Sequence, residues 1–217
     1  MLAGVADLPA LPEAPRLGMR FGVSVAVKYP ARVIRGISDG PTRDYFDQYH
    51  ALNEQLDAIV SAGARRLSDA GYRAVAQTRA FVRQSETDYA TALPHKTVAT
   101  RAGLGWIGKC ALLVTREFGS AVRISSLLTD APLTPAPPMD EPLCGSCTAC
   151  TLACPGQAVT GRLWTPGLPR EALFDAHRCR ENARALSARK LNEVITLCGK
   201  CIEVCPHTRR YLDAAAD

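Results

Sequence analysis

The sequence predicts a mixed α/β domain followed by a small, cysteine-rich α+β domain. Strand-like and helix-like apolar patterns intermix over roughly the first 130 residues, five prolines crowd residues 131–143, and eight of the nine cysteines follow that segment. A proline-rich segment continues neither a helix nor a central strand. We therefore predict domains at residues 1–130 and 144–217, joined by a semi-rigid linker at 131–143.

Apolar periodicity locates the elements of the first domain. Residues 21–27 alternate as in a strand, and residues 44–71 carry a helical stripe that ends at Gly71. Residues 95–102 are predicted to be helical, and short strands are predicted at residues 72–78, 110–115 and 121–128. In the second domain we expect short helices after each group of cysteines.

The cysteines fall into two sets with 4Fe-4S spacing. The first set follows the pattern C-x2-C-x2-C-x3-C-P. The second set lacks the first cysteine of that pattern, and we predict that the upstream Cys179 replaces it. In such runs three thiolates hold one cubane and the fourth reaches the other cluster. The spacing thus predicts two clusters, one held by Cys144, Cys147, Cys150 and Cys205, the other by Cys154, Cys179, Cys198 and Cys201.

Other uses of these cysteines fit less well. Disulfides need an oxidising compartment, and residues 1–20 show no export signal. Structural zinc sites use paired C-x2-C elements, which do not account for a triple followed by Cys-Pro and then repeated. The remaining Cys110 is interpreted as a small buried apolar residue, or alternatively as a soft metal ligand or a redox thiol.

Composition and charge indicate a soluble, cytoplasmic protein. The chain of 217 residues is 47% hydrophobic, and no stretch is apolar for long enough to span a membrane. Its formal charge is +5, but each 4Fe-4S core with four thiolates contributes about −2, so the loaded protein is expected to be nearly neutral. A basic stretch around Cys179 reads as a solvated helix face, or as a contact for nucleic acid or an acidic redox partner.

A glycine-rich stretch at residues 103–110 matches two phosphate-binding patterns, and we reject both. A dinucleotide fingerprint needs a strand before it and a helix after it, and here that order is reversed. A P-loop needs a Ser or Thr hydroxyl where Cys110 stands. What remains is a structural turn, or close backbone approach to a flat group that Trp106 could cover.

Two motif groups, in order, resemble the epoxyqueuosine reductase family. The first is Arg101-Ala102-Gly103-Leu104-Gly105-Trp106-Ile107-Gly108-Lys109, followed by Thr129-Asp130-Ala131-Pro132-Leu133. The second comprises Cys144-Gly145-Ser146-Cys147-Thr148-Ala149-Cys150, then Asp175-Ala176-His177-Arg178-Cys179 and the closing segment from Cys198 to Pro206. The similarity covers residues 95–210 well and residues 20–90 loosely.

The resemblance implies a cobalamin-binding α/β domain, related to nitroreductase-like and reductive dehalogenase proteins, joined to a ferredoxin-like module. The clusters would pass single electrons, received from a ferredoxin or flavodoxin, to cobalamin. The reduced cobalt would then remove an epoxide oxygen from a modified tRNA base. In this reading the residues bordering the corrin are Gly103, Gly105, Trp106, Gly108 and Lys109.

Two departures from the family's pattern concern the chemical half of the molecule. The N-terminal portion is expected to be shorter than in the family, and the family's proton-donating Asp-Ser/Thr-Ala-Pro stretch is not matched. Asp88 lies within one residue of that place and is our candidate general acid, with an exposed loop carboxylate as the alternative. His95 and Lys96 face either the cofactor, an anionic substrate or solvent, and His177 and His207 flank cluster cysteines.

Three functions remain open at this point. The first is a reductase of the epoxyqueuosine reductase type, with two 4Fe-4S clusters and a corrinoid. The second is an electron-transfer module that serves a partner enzyme and has no chemistry of its own. The third is a structural or regulatory iron-sulfur protein that senses oxygen. The sequence indicates no particular oligomeric state.

Overall fold

The computed structural model describes residues 1–215. The strands are β1 (Leu2–Asp7), β2 (Phe21–Lys28), β3 (Ala74–Ala76), β4 (Trp106–Ile107), β5 (Leu113–Val114) and β6 (Val122–Thr129). The helices are α1 (Ala31–Arg35), α2 (Arg43–Asp69), α3 (His95–Arg101), α4 (Ala149–Ala153), α5 (Arg170–Leu173), α6 (Ala176–Leu191), α7 (Lys200–Glu203) and α8 (Pro206–Ala214).

These elements form two compact units whose segments alternate along the chain. The first unit comprises Met1–Val27, Ala51–Gly105 and Arg123–Met139. The second comprises Lys28–His50, Trp106–Val122 and the residues from Asp140 onward. The division at residues 131–143 that composition predicts therefore stays a prediction. Residues 131–143 form no helix or strand, as a proline-rich segment should.

The first unit is built on a four-stranded sheet with the order β1-β2-β6-β3. β1 pairs antiparallel with β2, with Leu2 opposite Ala26, and β3 pairs antiparallel with β6. Apolar side chains from this sheet, from α3 and from the segments beside them form one core cluster, comprising Ala6, Leu8, Met19, Leu93, Val98, Ala102 and Leu128. β1 is absent from the sequence-based prediction, which assigned no structure to residues 1–20.

Helix α2 ends as the sequence predicts. Gly71 adopts a left-handed φ of +90°, its N–H donates to the Ser68 carbonyl, and the Tyr72 N–H donates to the Leu67 carbonyl. This pair of bonds is the Schellman arrangement, which satisfies the last carbonyls of a helix. Glycine suits the position because it takes a positive φ without steric cost.

His95 begins α3 and is largely buried in the first unit. Its Nδ1 lies 2.9 Å from the Ser126 hydroxyl. The pKa of His95 is lowered from 6.5 to about 4, mainly by burial and also by the charge of Arg123, with Asp57 opposing the shift. The imidazole is therefore neutral at physiological pH.

The second unit contains the β4–β5 hairpin and the short helices that carry cysteines. β4 and β5 pair antiparallel, with Trp106 opposite Val114. α4 packs against α7, and α1 packs against α7 and α8. Within the described residues 1–215, the helices are all too short or too polar to cross a membrane.

The predicted elements are confirmed, and two of the predicted strands are shorter than expected. β2, α2, α3 and β6 lie where periodicity placed them. β3 and β5 cover only part of residues 72–78 and 110–115, and β4 falls within the glycine stretch. α4 contains Cys150 and α7 contains Cys201, each at the third position of the four-cysteine pattern, and α8 begins directly after Cys205. The long helix α6, with Asp175 as its N-cap, contains the basic stretch around Cys179, for which a solvated helix face was one interpretation without defined bounds.

Gly119 makes the closest glycine contact in the second unit. Its φ is +58°, and a Cβ added there would lie 2.2 Å from the Thr208 backbone nitrogen at the start of α8. The Ser120 N–H also donates to the Thr208 hydroxyl at 3.1 Å. A side chain at position 119 would therefore displace the segment that follows Cys205.

We expect Gly119→Ala to destabilise the protein by more than the ~1 kcal/mol that a positive φ costs an L-residue. Gly71→Ala is the matched control, because its φ is also positive but no atom lies within 4 Å of the added Cβ. Chemical unfolding of both variants measures the difference. Equal losses of unfolding free energy would contradict the contact with Thr208.

The pKa of His95 predicts a loss of stability in acid. Between pH 6.5 and about 4 the unfolded chain binds a proton that the folded chain does not, so stability falls as the pH falls. The complete loss is on the order of 3 kcal/mol. We expect His95→Gln to unfold with a smaller difference between pH 7 and pH 5 than wild type. An unchanged difference would show that His95 titrates normally.

Candidate iron-sulfur site

The first predicted cysteine set surrounds one cavity in the second unit. Cys144, Cys147 and Cys150 approach it from the loop and first turn of α4, and Cys205 approaches from the N-cap of α8. The cavity has a volume of about 80 Å³. A single water needs about 10–15 Å³ on this measure, so there is room for a group several times larger.

Opposing influences act on the Cys205 thiol, and its pKa is raised overall. Burial raises the pKa of this thiol, and the charge of Cys144 acts in the same direction. The backbone N–H groups of Thr208 and His207, in the first turn of α8, lower it again. N–H groups directed at sulfur are the interactions by which proteins stabilise cluster thiolates.

Trp106 donates a hydrogen bond to the first cysteine set. Its indole Nε1 lies 3.4 Å from the Cys144 sulfur, and the side chain is fully buried. The His207 ring packs edge-on against the indole, with centroids 4.8 Å apart, and also lines the cavity. Trp106 therefore contacts a predicted cluster ligand directly.

Lys109 places a positive charge beside the same thiols. Only 6% of this residue is exposed, and its ammonium donates to the Cys147 carbonyl at 2.8 Å. A buried ammonium is costly unless an opposite charge compensates it. A 4Fe-4S core with four thiolates carries about −2, which provides such a charge. The lining of the cavity thus fits an anionic cluster.

Cys110 is buried, as its interpretation as an apolar residue requires, but it also lines the cavity. Its thiol lies beside those of Cys150 and Cys201, which line the same cavity. Spacing alone does not predict this proximity, because Cys110 lies 34 residues before the first run. Only the hairpin formed by β4 and β5 brings it there.

Three members of the second predicted set lie near one another. Burial raises the pKa of the Cys179 thiol to about 11, with further contributions from the charges of Cys154 and Cys198. Burial also raises the pKa of Cys198, and Cys154 adds to that shift. The Ala158 N–H donates to the Cys154 sulfur at 3.3 Å. Cys201, the fourth predicted member, lines the first cavity.

The glycines of the turn are in contact with protein atoms. A Cβ at Gly103 would lie 2.8 Å from the Pro137 carbonyl oxygen, and one at Gly108 would lie 2.8 Å from Val114. Gly105 is buried immediately before β4. Trp106 and Lys109, which follow in the turn, are directed at the cysteines. Their predicted contact with a corrinoid stays a prediction.

The remaining candidates, Asp88 and His177, are both exposed. Asp88 is exposed in a loop, where its carboxylate accepts from the Ala90 N–H at 3.0 Å. The burial that would suit a general acid is not found there, and its catalytic role stays a prediction. His177 is exposed on the first turn of α6, whose basic residues Arg178, Arg189 and Lys190 are also exposed.

Comparisons with known proteins support the iron-sulfur prediction. Residues 143–208 match the family model described as a 4Fe-4S double cluster binding domain. An epoxyqueuosine reductase from Pseudomonas aeruginosa is 33% identical over 178 residues, which are 78% of this chain and 45% of that protein. The chain spans about half the length of the curated relatives it matches.

Solved structures share the fold. A reductive dehalogenase described as having a B12-dependent mechanism superposes with a TM-score of 0.70 at 17% identity, covering 98% of this chain and 31% of that chain. An epoxyqueuosine reductase in complex with an epoxyqueuosine-modified tRNA stem loop superposes with a TM-score of 0.55 at 26% identity, covering 88% and 49%. The chain thus combines the α/β fold of epoxyqueuosine reductases and reductive dehalogenases with a double 4Fe-4S cluster-binding domain, as its resemblance implied.

Proposed function

We propose that this protein is an iron-sulfur oxidoreductase of the epoxyqueuosine reductase type. The observation that carries the proposal is the grouping of the cysteines into two sets that cross between the two runs. Cys205 of the second run lies with the triple of the first, and Cys154 of the first run lies near Cys179 and Cys198. Such crossing is typical of proteins that hold two clusters close together.

The proposed ligands are those that the spacing predicts. Cys144, Cys147, Cys150 and Cys205 hold the first cluster, in the cavity that they line. Cys154, Cys179 and Cys198 hold the second cluster. Cys201 completes that cluster after its side chain rotates away from the first cavity. Cys201 lies on α7, whereas Cys205 lies beyond it at the N-cap of α8, so the two thiols can serve different clusters.

Trp106 and Lys109 adjust the first cluster in this proposal. The indole N–H bond to the Cys144 sulfur and the ammonium beside Cys147 both favour added negative charge. Hydrogen bonds to cluster sulfurs and nearby positive charge raise the reduction potential. The first cluster is thereby made the better electron acceptor.

The reaction implied by the relatives matches the two-cluster arrangement. Reduction of an epoxide to an alkene consumes two electrons and two protons and releases water. Two 4Fe-4S clusters, each carrying one electron from a donor such as a ferredoxin or flavodoxin, supply that number. A corrinoid, if bound, would provide the reduced cobalt that removes the epoxide oxygen. The residues that we predict to border it are still Gly103, Gly105, Trp106, Gly108 and Lys109, and we propose a modified tRNA base as the substrate.

The second candidate is an electron-transfer module for a partner enzyme. It is favoured by the contacts of the glycine turn, where protein atoms already occupy the space beside Gly103 and Gly108. Both candidates operate in a reducing compartment, for which we propose the cytoplasm, because all nine cysteines are free.

Metal analysis distinguishes the two candidates. The protein is expressed anaerobically with cobalamin supplied, purified, and analysed for iron, sulfide and cobalt. The reductase proposal predicts about eight irons and about one cobalt per chain, with a change in the visible spectrum when cobalamin is added to cobalamin-free protein. Eight irons without cobalt and without that spectral change would reject the reductase and favour the carrier.

The ligand assignment predicts which cysteines hold iron. We expect Cys179→Ala to lose about four of about eight irons, because a cubane needs four thiolates. Cys110→Ala is the matched control, since this buried cysteine lines the cavity but is not a proposed ligand, and it should keep about eight. Iron is measured on anaerobically reconstituted protein. Unchanged iron in Cys179→Ala would refute the role of Cys179.

A further inference from the structure

Helix α6 presents a basic surface beside the second set of cysteines. It contains five cationic side chains and one carboxylate, Glu181, so its formal charge is +4 with His177 neutral. The cations are Arg178, Arg180, Arg184, Arg189 and Lys190. Cys179, a proposed ligand of the second cluster, lies on the same helix. The positive charge is therefore placed next to a predicted redox centre.

Three of these cations are not compensated by any group in residues 1–215. Arg178 forms an ion pair with Asp175, at 3.5 Å. Arg184, Arg189 and Lys190, by contrast, form neither an ion pair nor a side-chain hydrogen bond within the described residues. Arg189 and Lys190 are also exposed, in the last turn of the helix. Uncompensated cations on one surface attract an anionic partner and speed its association.

Arg189 and Lys190 are too far from the cysteines to be counterions of the second cluster. They follow Cys179 by ten and eleven residues, which is about 15 Å along the helix. Interactions between exposed charges are largely screened beyond about 8–10 Å at physiological ionic strength. The cluster can account for cations adjacent to Cys179, whereas this exposed pair suits a partner outside the chain.

Two large apolar side chains near the second set of cysteines are exposed as well. Leu152 lies on α4, two residues before Cys154, and is 82% exposed, and Val194 follows the end of α6 and is 63% exposed. The segment after α4 packs against α6, because a Cβ added at Gly156 would lie 2.9 Å from the Asn182 Cβ. The basic helix thus has exposed apolar neighbours.

This combination favours a protein over a nucleic acid as the partner. Protein interfaces combine apolar contacts with a polar rim. Nucleic acids are bound mainly through phosphate and sugar, to which Leu152 and Val194 would contribute little. α6 also contains no Phe, Tyr or Trp on which an unpaired base could stack.

We propose that the exposed face of α6, together with Leu152 and Val194, docks a small acidic protein that delivers single electrons to the second cluster. The inference rests on the proposed function, because it needs a cluster held by Cys179. Cys154, Cys179 and Cys198 are only partly buried, so the cluster that they hold lies close to the docking surface. Each docking event oxidises the donor by one electron and reduces the cluster by one, and no atom is transferred.

The test begins with binding between the full, cluster-loaded chain and a plant-type 2Fe-2S ferredoxin, which is an acidic one-electron donor. Both proteins are kept oxidised, so that binding is measured apart from electron transfer. We expect binding at low salt that weakens as the salt concentration rises, because attraction between exposed charges is screened. Unmodified total tRNA is titrated in the same way as the alternative partner.

A double variant and a matched control locate the docking surface. Arg189→Gln combined with Lys190→Gln should weaken ferredoxin binding about fivefold to tenfold at low salt and leave tRNA binding unchanged. Arg65→Gln combined with Arg66→Gln also removes two adjacent exposed cations near the C-terminus of a helix, but in the first unit. This control should keep the wild-type affinity for ferredoxin.

Leu152→Ala tests the apolar part of the surface. It should weaken ferredoxin binding about threefold at low and high salt alike, because an apolar contact is not screened. A nucleic acid held by its phosphates would not respond to this substitution.

Electron transfer is then followed by rapid mixing of reduced ferredoxin with the oxidised chain. We expect the double variant on α6 to be reduced more slowly than wild type at low salt, whereas dithionite reduces both completely. The docking proposal is overturned if the ferredoxin neither binds nor reduces the wild-type chain, if the double variant behaves as wild type, or if that variant loses tRNA binding instead.

Iron content separates this inference from the proposed function. A chain that reconstitutes no clusters contradicts the proposed function itself. A chain that holds about eight irons and is reduced by dithionite, yet does not dock ferredoxin through α6, overturns the docking proposal alone.

Discussion

Each 4Fe-4S cubane needs four thiolates directed at one point, and this requirement governs the proposed arrangement of the second unit. Neither cysteine run supplies four thiolates to one cubane, because the fourth member of each run lies on the far side of a helical turn. The runs must therefore pack against each other. α4 contacts α7, and α8 begins at Cys205, so the thiols of both runs reach the first cavity.

The close packing around Gly119 and the buried charge of Lys109 follow from that arrangement. Gly119 lets the segment before β6 approach the backbone of Thr208, three residues after Cys205. Lys109 and Trp106 extend from the β4–β5 hairpin to Cys147 and Cys144. In our proposal the anionic cluster compensates the buried ammonium, so structural stability and redox chemistry depend on the same contacts.

The sequence predicted whatever a local pattern encodes. The stripe of α2 with Gly71, the alternation of β2 and the spacing of the cysteines were each sufficient for a correct or consistent prediction. What it could not predict depends on contacts between distant residues. Cys110 and Trp106 reach the other cysteines only because the β4–β5 hairpin folds against them. The strand β1 was missed because its residues lack a strong alternating pattern. The Gln77 side-chain amide is buried without a hydrogen-bond partner for its Nε2 among residues 1–215, which no local pattern indicates. The contact between Gly103 and the Pro137 carbonyl likewise joins residues that are far apart in the sequence.

The central claim is that two 4Fe-4S clusters lie close together because their ligands alternate along the chain. Cys150 lies on α4 and Cys154 is the C-cap of that helix, about 6 Å further along its axis. The two cysteines are assigned to different clusters. Low-temperature electron paramagnetic resonance of the dithionite-reduced protein tests this most directly. The account predicts about two unpaired spins per chain, with lines split by the interaction between two clusters. A single spin per chain, or two signals without interaction, would contradict it.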